Sequence, residues 1–193
     1  MNKLEKKQIK KFFLNELINS FPKKAQPTIL SNFSKHSLEI SIILNTLRSN
    51  SENDRKMIDI GGGLGINCII LSKLYGYDTY LIDRFDEFDA SHERVVGNDQ
   101  DVINRLESFG VNVVREDFIN NEMPVELINF DLITCFSVIE HFNFSPKKLI
   151  EDLSKISKKN GKIIVSTPNQ VHLFNRIKTL LGVNTWEDFD YYY

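Results

Sequence analysis

The residues of this chain best suited to chemistry fall into three groups. One is a glycine-dense turn, Gly61, Gly62, Gly63 and Gly65; the second is the carboxylates Asp59, Asp83 and Asp117; the third is the adjacent pair Glu140 and His141. A turn without Cβ atoms lets a ligand lie against the backbone and tolerates φ > 0. The helix that follows such a turn offers free N–H groups and the positive end of its dipole. A carboxylate accepts two hydrogen bonds from a vicinal diol, which suits it to a ribose. A histidine beside a carboxylate can take a proton from a nucleophile, or can simply brace a loop. Taken singly, Asp83 or Asp117 also reads as an ordinary cap at a strand-to-helix turn.

The spacing narrows the ligand. A phosphate loop ends in Gly-Lys-Ser/Thr, but Gly65 is followed by Ile66, which argues against a nucleoside triphosphate. The same Ile66 stands where the dinucleotide fingerprint needs a third glycine or alanine, which weakens a nicotinamide or flavin ligand. The run Asp59-Ile60-Gly61-Gly62-Gly63-Leu64-Gly65 has the form acidic-hydrophobic-G-x-G-x-G. It resembles the first motif of the class I S-adenosylmethionine-dependent methyltransferases, and the resemblance continues over about residues 56–170.

That resemblance implies S-adenosyl-L-methionine as cofactor, with Asp59 and the four glycines forming its turn. Asp83 in "YLIDR" would hold the ribose, and Asp117 in "VREDFI", with Phe118 beside it, the adenine. The segment "FDLITCFSVIEHF", with Phe136, would line the methionine end and the substrate entrance. Glu140 and His141 become the candidate catalytic pair, with His141 as general base toward an oxygen nucleophile, or as a loop brace. "KKNGKIIVSTPN" resembles the helix-glycine-strand ending of small-molecule methyltransferases of the ubiquinone-biosynthesis type. Relatives able to hold a metal carry an acid three residues before the glutamate; Ser137 stands there, so no metal is expected.

The expected acceptor is a small molecule. "CFSV" replaces the Asn/Asp-Pro-Pro-aromatic run of base methylation, and "TPNQVHLFNRIKTLLG" is similar to methyltransferases of polysaccharide and lipid-linked sugar biosynthesis. A sugar or polysaccharide precursor follows from that similarity. The alternative is a truncated, catalytically inactive binding module; a third reading is a protein or RNA methyltransferase docking through the lysine-rich first helix.

Positioning these residues requires an α/β framework. Leu4, Ile9, Phe12, Phe13, Leu17 and Phe21 recur at helical spacing over residues 3–20 until Pro22, and a second helical pattern runs over 28–47. Beyond residue 55, strands "KMIDI", "DTYLID", "VNVVRED", "FDLITCFSV" and "KIIVSTPN" alternate with helical segments, the one before the fifth strand being "SPKKLIEDLSKISKKNG", and a further helix, "VHLFNRIKTLLG", follows that strand. Such alternation predicts a doubly wound parallel sheet covered on both faces, with N-terminal helices; the resemblance implies that it is Rossmann-like, with strand order 3-2-1-4-5. The family's final two strands have no counterpart after "KIIVSTPN". Residues 1–52 are expected to form a helical lid, with Phe33 and His36 toward the acceptor, and residues 53–193 the core.

Composition sets the remaining bounds. The 193 residues, 41% hydrophobic, suffice for one domain with a substantial core, and a net charge of -2 provides no field to hold nucleic acid or an anionic membrane. Lys3, Lys6, Lys7, Lys10 and Lys11 interrupt any signal-peptide block, and no run is long enough to span a membrane, so a cytoplasmic location is expected. Cys68 and Cys135 lie inside apolar runs and read as buried thiols. His36, His92 and His172 read as surface or packing residues.

Overall fold

The computed structural model describes residues 1–47, 55–86, 96–142, 145–169 and 173–183. His92, His172 and the aromatic stretch 186–193 lie outside the described residues.

Helix α1 (Lys3–Phe12) opens on a reciprocal cap, the Asn2 side chain accepting from the Glu5 N–H at 2.9 Å and Glu5 Oε2 from the Asn2 N–H at 2.8 Å. The helix widens into a π turn (Phe13–Leu17), tightens into a 3-10 turn (Ile18–Ser20) and ends at extended Phe21, as the residue before a proline must. The second helical run starts slightly earlier than its periodicity suggests, with Pro27 in its first turn, and breaks at Asn32 into α2 (Gln26–Ser31) and α3 (Phe33–Leu47).

The sheet comprises β1 (Lys56–Ile60), β2 (Asp78–Asp83), β3 (Val111–Arg115), β4 (Phe130–Phe136) and β5 (Ser157–Ser166). Its order is β3-β2-β1-β4-β5, with every pairing parallel, as expected. Helices α4 (Ile66–Tyr75), α5 (Asp99–Ser108) and α6 (Lys147–Ile156) lie between successive strands, and α7 (Leu173–Leu180) follows β5. Alternation along the strands splits the core in two. Met57, Leu81 and Leu132 face a cluster that includes α4 and the N-terminal residues Ile9, Phe13, Leu17, Ile40 and Ile43. Ile58, Ile60, Ile82 and Ile133 face a second cluster with Phe118, Val138 and the α6 residues Leu149 and Leu153.

One boundary differs from expectation. The sixth helix stops at Ile156 rather than running to Gly161, because Ser157 is already extended and pairs with Phe130 of β4. Regular pairing resumes only at Lys162 opposite Leu132, so Lys158–Gly161 form a bulge. Gly161 belongs to that bulge, where a Cβ would press on Ser157 Oγ and lie 2.7 Å from the Phe130 carbonyl. Asp131 secures this end of the sheet, accepting from the Lys56 N–H of β1 and from Lys158 Nζ of β5, each at 3.0 Å. No helix among the described residues is long and apolar enough to cross a membrane.

Candidate active site

The glycine turn sits at the carboxyl end of β1, where the strand order reverses and a doubly wound sheet opens its crevice. The Gly61 N–H donates to the Ile82 carbonyl of β2 at 2.8 Å, and the Gly65 N–H closes the turn on the Gly62 carbonyl at 2.9 Å. Asp83, ending β2, reaches back to this loop: its Oδ2 accepts from the Gly63 N–H at 3.0 Å, its Oδ1 from the Phe85 N–H at 3.1 Å. Gly65 caps α4 in the left-handed region, and no side chain caps that helix, which leaves its first amides toward the crevice.

The missing side chains of the turn answer partly to the protein itself. At Gly61, φ is +64°, and a Cβ would lie 2.7 Å from Val138 Cγ2 and 3.5 Å from Phe118 Cζ. At Gly62 a Cβ would meet Asp59 Oδ2 and Leu81 Cδ1, both at 2.8 Å. The bend is therefore packed from beneath by β1 and β2 and from one side by the β4 exit.

Asp59 lies under the turn, 4% exposed. Its Oδ1 accepts from Thr134 Oγ1 at 2.7 Å, across the β1–β4 register that sets the two residues side by side. Burial pushes its carboxyl up to about 7; the Thr134 bond lowers it, while the charges of Glu39 and Asp83 raise it further. Glu39 comes from α3 and is itself buried. Its Oε2 accepts from Asn67 Nδ2 in the first turn of α4 at 2.8 Å and lies 3.3 Å from His36 Nδ1. Burial opposes ionisation of Glu39, but the bonds from His36 and Asn67 outweigh it and hold the carboxyl below its ordinary value. Asn67 Oδ1 is buried without a partner among the described residues.

Asp117 is committed locally: Oδ1 accepts from the N–H groups of Ile119 and Asn120, each at 3.1 Å, and Oδ2 from Asn120 Nδ2 at 2.8 Å. About one acceptor position stays open on it. Phe118 is nearly buried, with its ring edge toward Gly61. Phe136 ends β4 half-buried against the cluster shared with the N-terminal helices.

Beyond Phe136 the chain turns sharply. Ser137 has φ of 57°, a strained value for a residue with a Cβ, and its N–H donates to the Ser166 carbonyl of β5 at 2.9 Å. Lys35 of α3 donates to Ser137 Oγ at 3.4 Å, so α3 spans from the α4 start to the β4 exit. Glu140 and His141 sit in a 3-10 turn, Ile139–His141. His141 is exposed, whereas both carboxylate oxygens of Glu140 are buried and without a hydrogen-bond partner among the described residues. Below them, burial, then the charges of Asp59 and Glu140, push the Cys135 thiol up to about 12, far from a working nucleophile.

The structure thus gathers the glycine turn, Asp59, Asp83 and Phe118 within direct bonds or contacts of one another, and sets Glu140 two residues beyond the valine over Gly61. Phe33, by contrast, packs on Phe13 with ring centroids 4.7 Å apart, and His36 turns to Glu39. Sequence reasoning passed over Glu39, Asn67, Thr134 and Val138. Asn67 carried a usable signal, as the only side chain in the run "INCIIL" that needs hydrogen bonds.

A family model described as a methyltransferase domain matches residues 33–190. The chain belongs to the methyltransferase domain family. This methyltransferase domain is 32% identical over 113 residues to the phosphoethanolamine N-methyltransferase of Plasmodium falciparum, covering 58% of the chain and 38% of that protein. It is 28% identical over 135 residues to the ubiquinone biosynthesis O-methyltransferase of Glaesserella parasuis, covering 66% of the chain and 54% of that protein. It therefore spans about half or less of the length of these curated relatives. Among solved structures it shares the fold of an S-adenosylmethionine-dependent methyltransferase from Clostridium acetobutylicum, with a TM-score of 0.56 and 18% identity over 80% of this chain and 59% of that one.

Proposed function

We propose that the domain transfers a methyl group from S-adenosyl-L-methionine to a small-molecule acceptor. The observation that carries this is Asp83, which ends β2 at the mouth of the crevice and is tied by its carboxylate to the Gly63 N–H of the glycine turn. The residues present fit the cofactor. Asp83 takes the ribose hydroxyls; Asp117, through its open position, and Phe118 take the adenine; the uncapped start of α4 and the β4 exit with Phe136 take the methionine end. Asp59 supports the turn from below, its carboxylate accepting from Thr134.

When bound, the sulfonium supplies an electrophilic methyl group, so the protein has chiefly to align the acceptor and exclude water. The roof formed by α3, tied at Lys35 and Glu39, serves the second need. Glu140 and His141 stand at the acceptor side, positioned to receive a proton. The relatives named above include one N- and one O-methyltransferase, so the oxygen acceptor expected from the sequence is one of two open choices.

Isothermal titration with S-adenosylmethionine and S-adenosylhomocysteine tests the proposal. Both are expected to bind, and Asp83→Ala to weaken both by about 10- to 100-fold, the loss of one or two hydrogen bonds to a charged group. Folded protein that binds neither compound would overturn it.

A further inference from the structure

The Glu140 carboxylate is the one acidic group at the β4 exit with no described use for either oxygen. A buried ionised carboxylate without donors is costly by several kcal/mol, far more than an unpaired neutral group. Among the described residues, Lys35 does not meet it: that side chain is turned to Ser137 and lies 3.9 Å from Glu39 Oε1. The nearby acids Glu39, Asp83 and Asp117 add negative potential rather than relieving it. A neutral hydroxyl would bring a single donor and no charge. A protonated amine would bring several donors and a compensating charge, forming the short, strong bonds typical of charged pairs.

We propose that the methyl acceptor is a primary or secondary amine, captured as its ammonium by the buried Glu140 carboxylate. This rests on the methyl-transfer reading above and narrows it. Glu140 first holds the ammonium and then takes one of its protons, which frees the nitrogen lone pair. As the N–C bond forms, the C–S bond breaks; the sulfur leaves as a neutral thioether and the product nitrogen keeps the positive charge. The proton on Glu140 leaves through exposed His141, the next residue.

Amide-detected NMR with methylammonium chloride as probe, and methanol as its neutral counterpart, tests this with and without S-adenosylhomocysteine. Methylammonium is expected to shift residues 135–141 and to bind wild type at least 10-fold more tightly than Glu140→Gln, while methanol distinguishes the two proteins little. Glu140→Asp, which keeps the charge on a shorter arm, is expected to retain part of the affinity. The proposal is overturned if methylammonium binds Glu140→Gln as well as wild type, binds neither, or shows no advantage over methanol. Thermal melts of each variant separate a lost site from a lost fold. Failure to bind S-adenosylhomocysteine would count against the cofactor reading alone, because methylammonium is also measured without it.

Discussion

Single residues in this domain do their work by what they prevent as well as by what they bind. Gly61 keeps clear the space that Val138 fills, and Asp59 sits where charge is unwelcome. Burial and the neighbouring acids raise the Asp59 carboxyl from 3.8 to about 7, so the folded protein holds a proton that the unfolded chain releases above about pH 4. For an acid shifted upward the sign is clear: stability falls as pH rises through that window, and the deficit is complete above pH 7. At about 1.4 kcal/mol per unit, the loss amounts to a few kcal/mol. Asp59→Asn is expected to abolish this portion of the pH dependence, so that its melting temperature exceeds wild type at pH 8 by more than at pH 5. Parallel pH profiles for the two proteins would contradict the assignment.

At the level of elements, α3 and α4 are joined by one buried bond, Glu39 to Asn67. Breaking it strands a buried amide at the start of the helix that follows the glycine turn. Glu39→Ala is expected to destabilise the domain by about 1–3 kcal/mol and to speed hydrogen exchange across residues 33–47, with a smaller rise at the α4 start. Unchanged exchange in α3 would show that the bond does not hold the roof. The glycine turn and the position of Asp83 were readable from spacing along the chain, and the strand order from the family resemblance that those residues carry. The clamp was not, since it pairs residues 28 positions apart, and the Thr134–Asp59 bond spans 75. The α6–β5 boundary was misread for a related reason. Lys158 and Lys159 continue a polar helical pattern, and only the bond from Lys158 to Asp131 shows why lysines can follow directly on the first residue of the strand.

Over the whole molecule, the N-terminal helices and one face of the sheet share a single cluster, with Phe13, Leu17 and Ile40 as fully buried as Met57 and Leu81. Such continuity predicts one cooperative unfolding transition rather than separate melting of a helical segment and a core. Phe13→Ala is expected to cost about 3–5 kcal/mol and to shift the transitions followed by far-ultraviolet circular dichroism and by tyrosine fluorescence together. A two-step melt in which only helical signal is lost first would show independent units.

Asp131 gives that continuity a direction. One carboxylate rivets β1, β4 and β5 together at their amino ends, while at the opposite ends the chain leaves through glycine and through a strained serine. A fan riveted at its base spreads only at its rim, so whatever breathing lets a guest in and out belongs to the side where the crevice lies, and the base keeps the ribs in register while it happens.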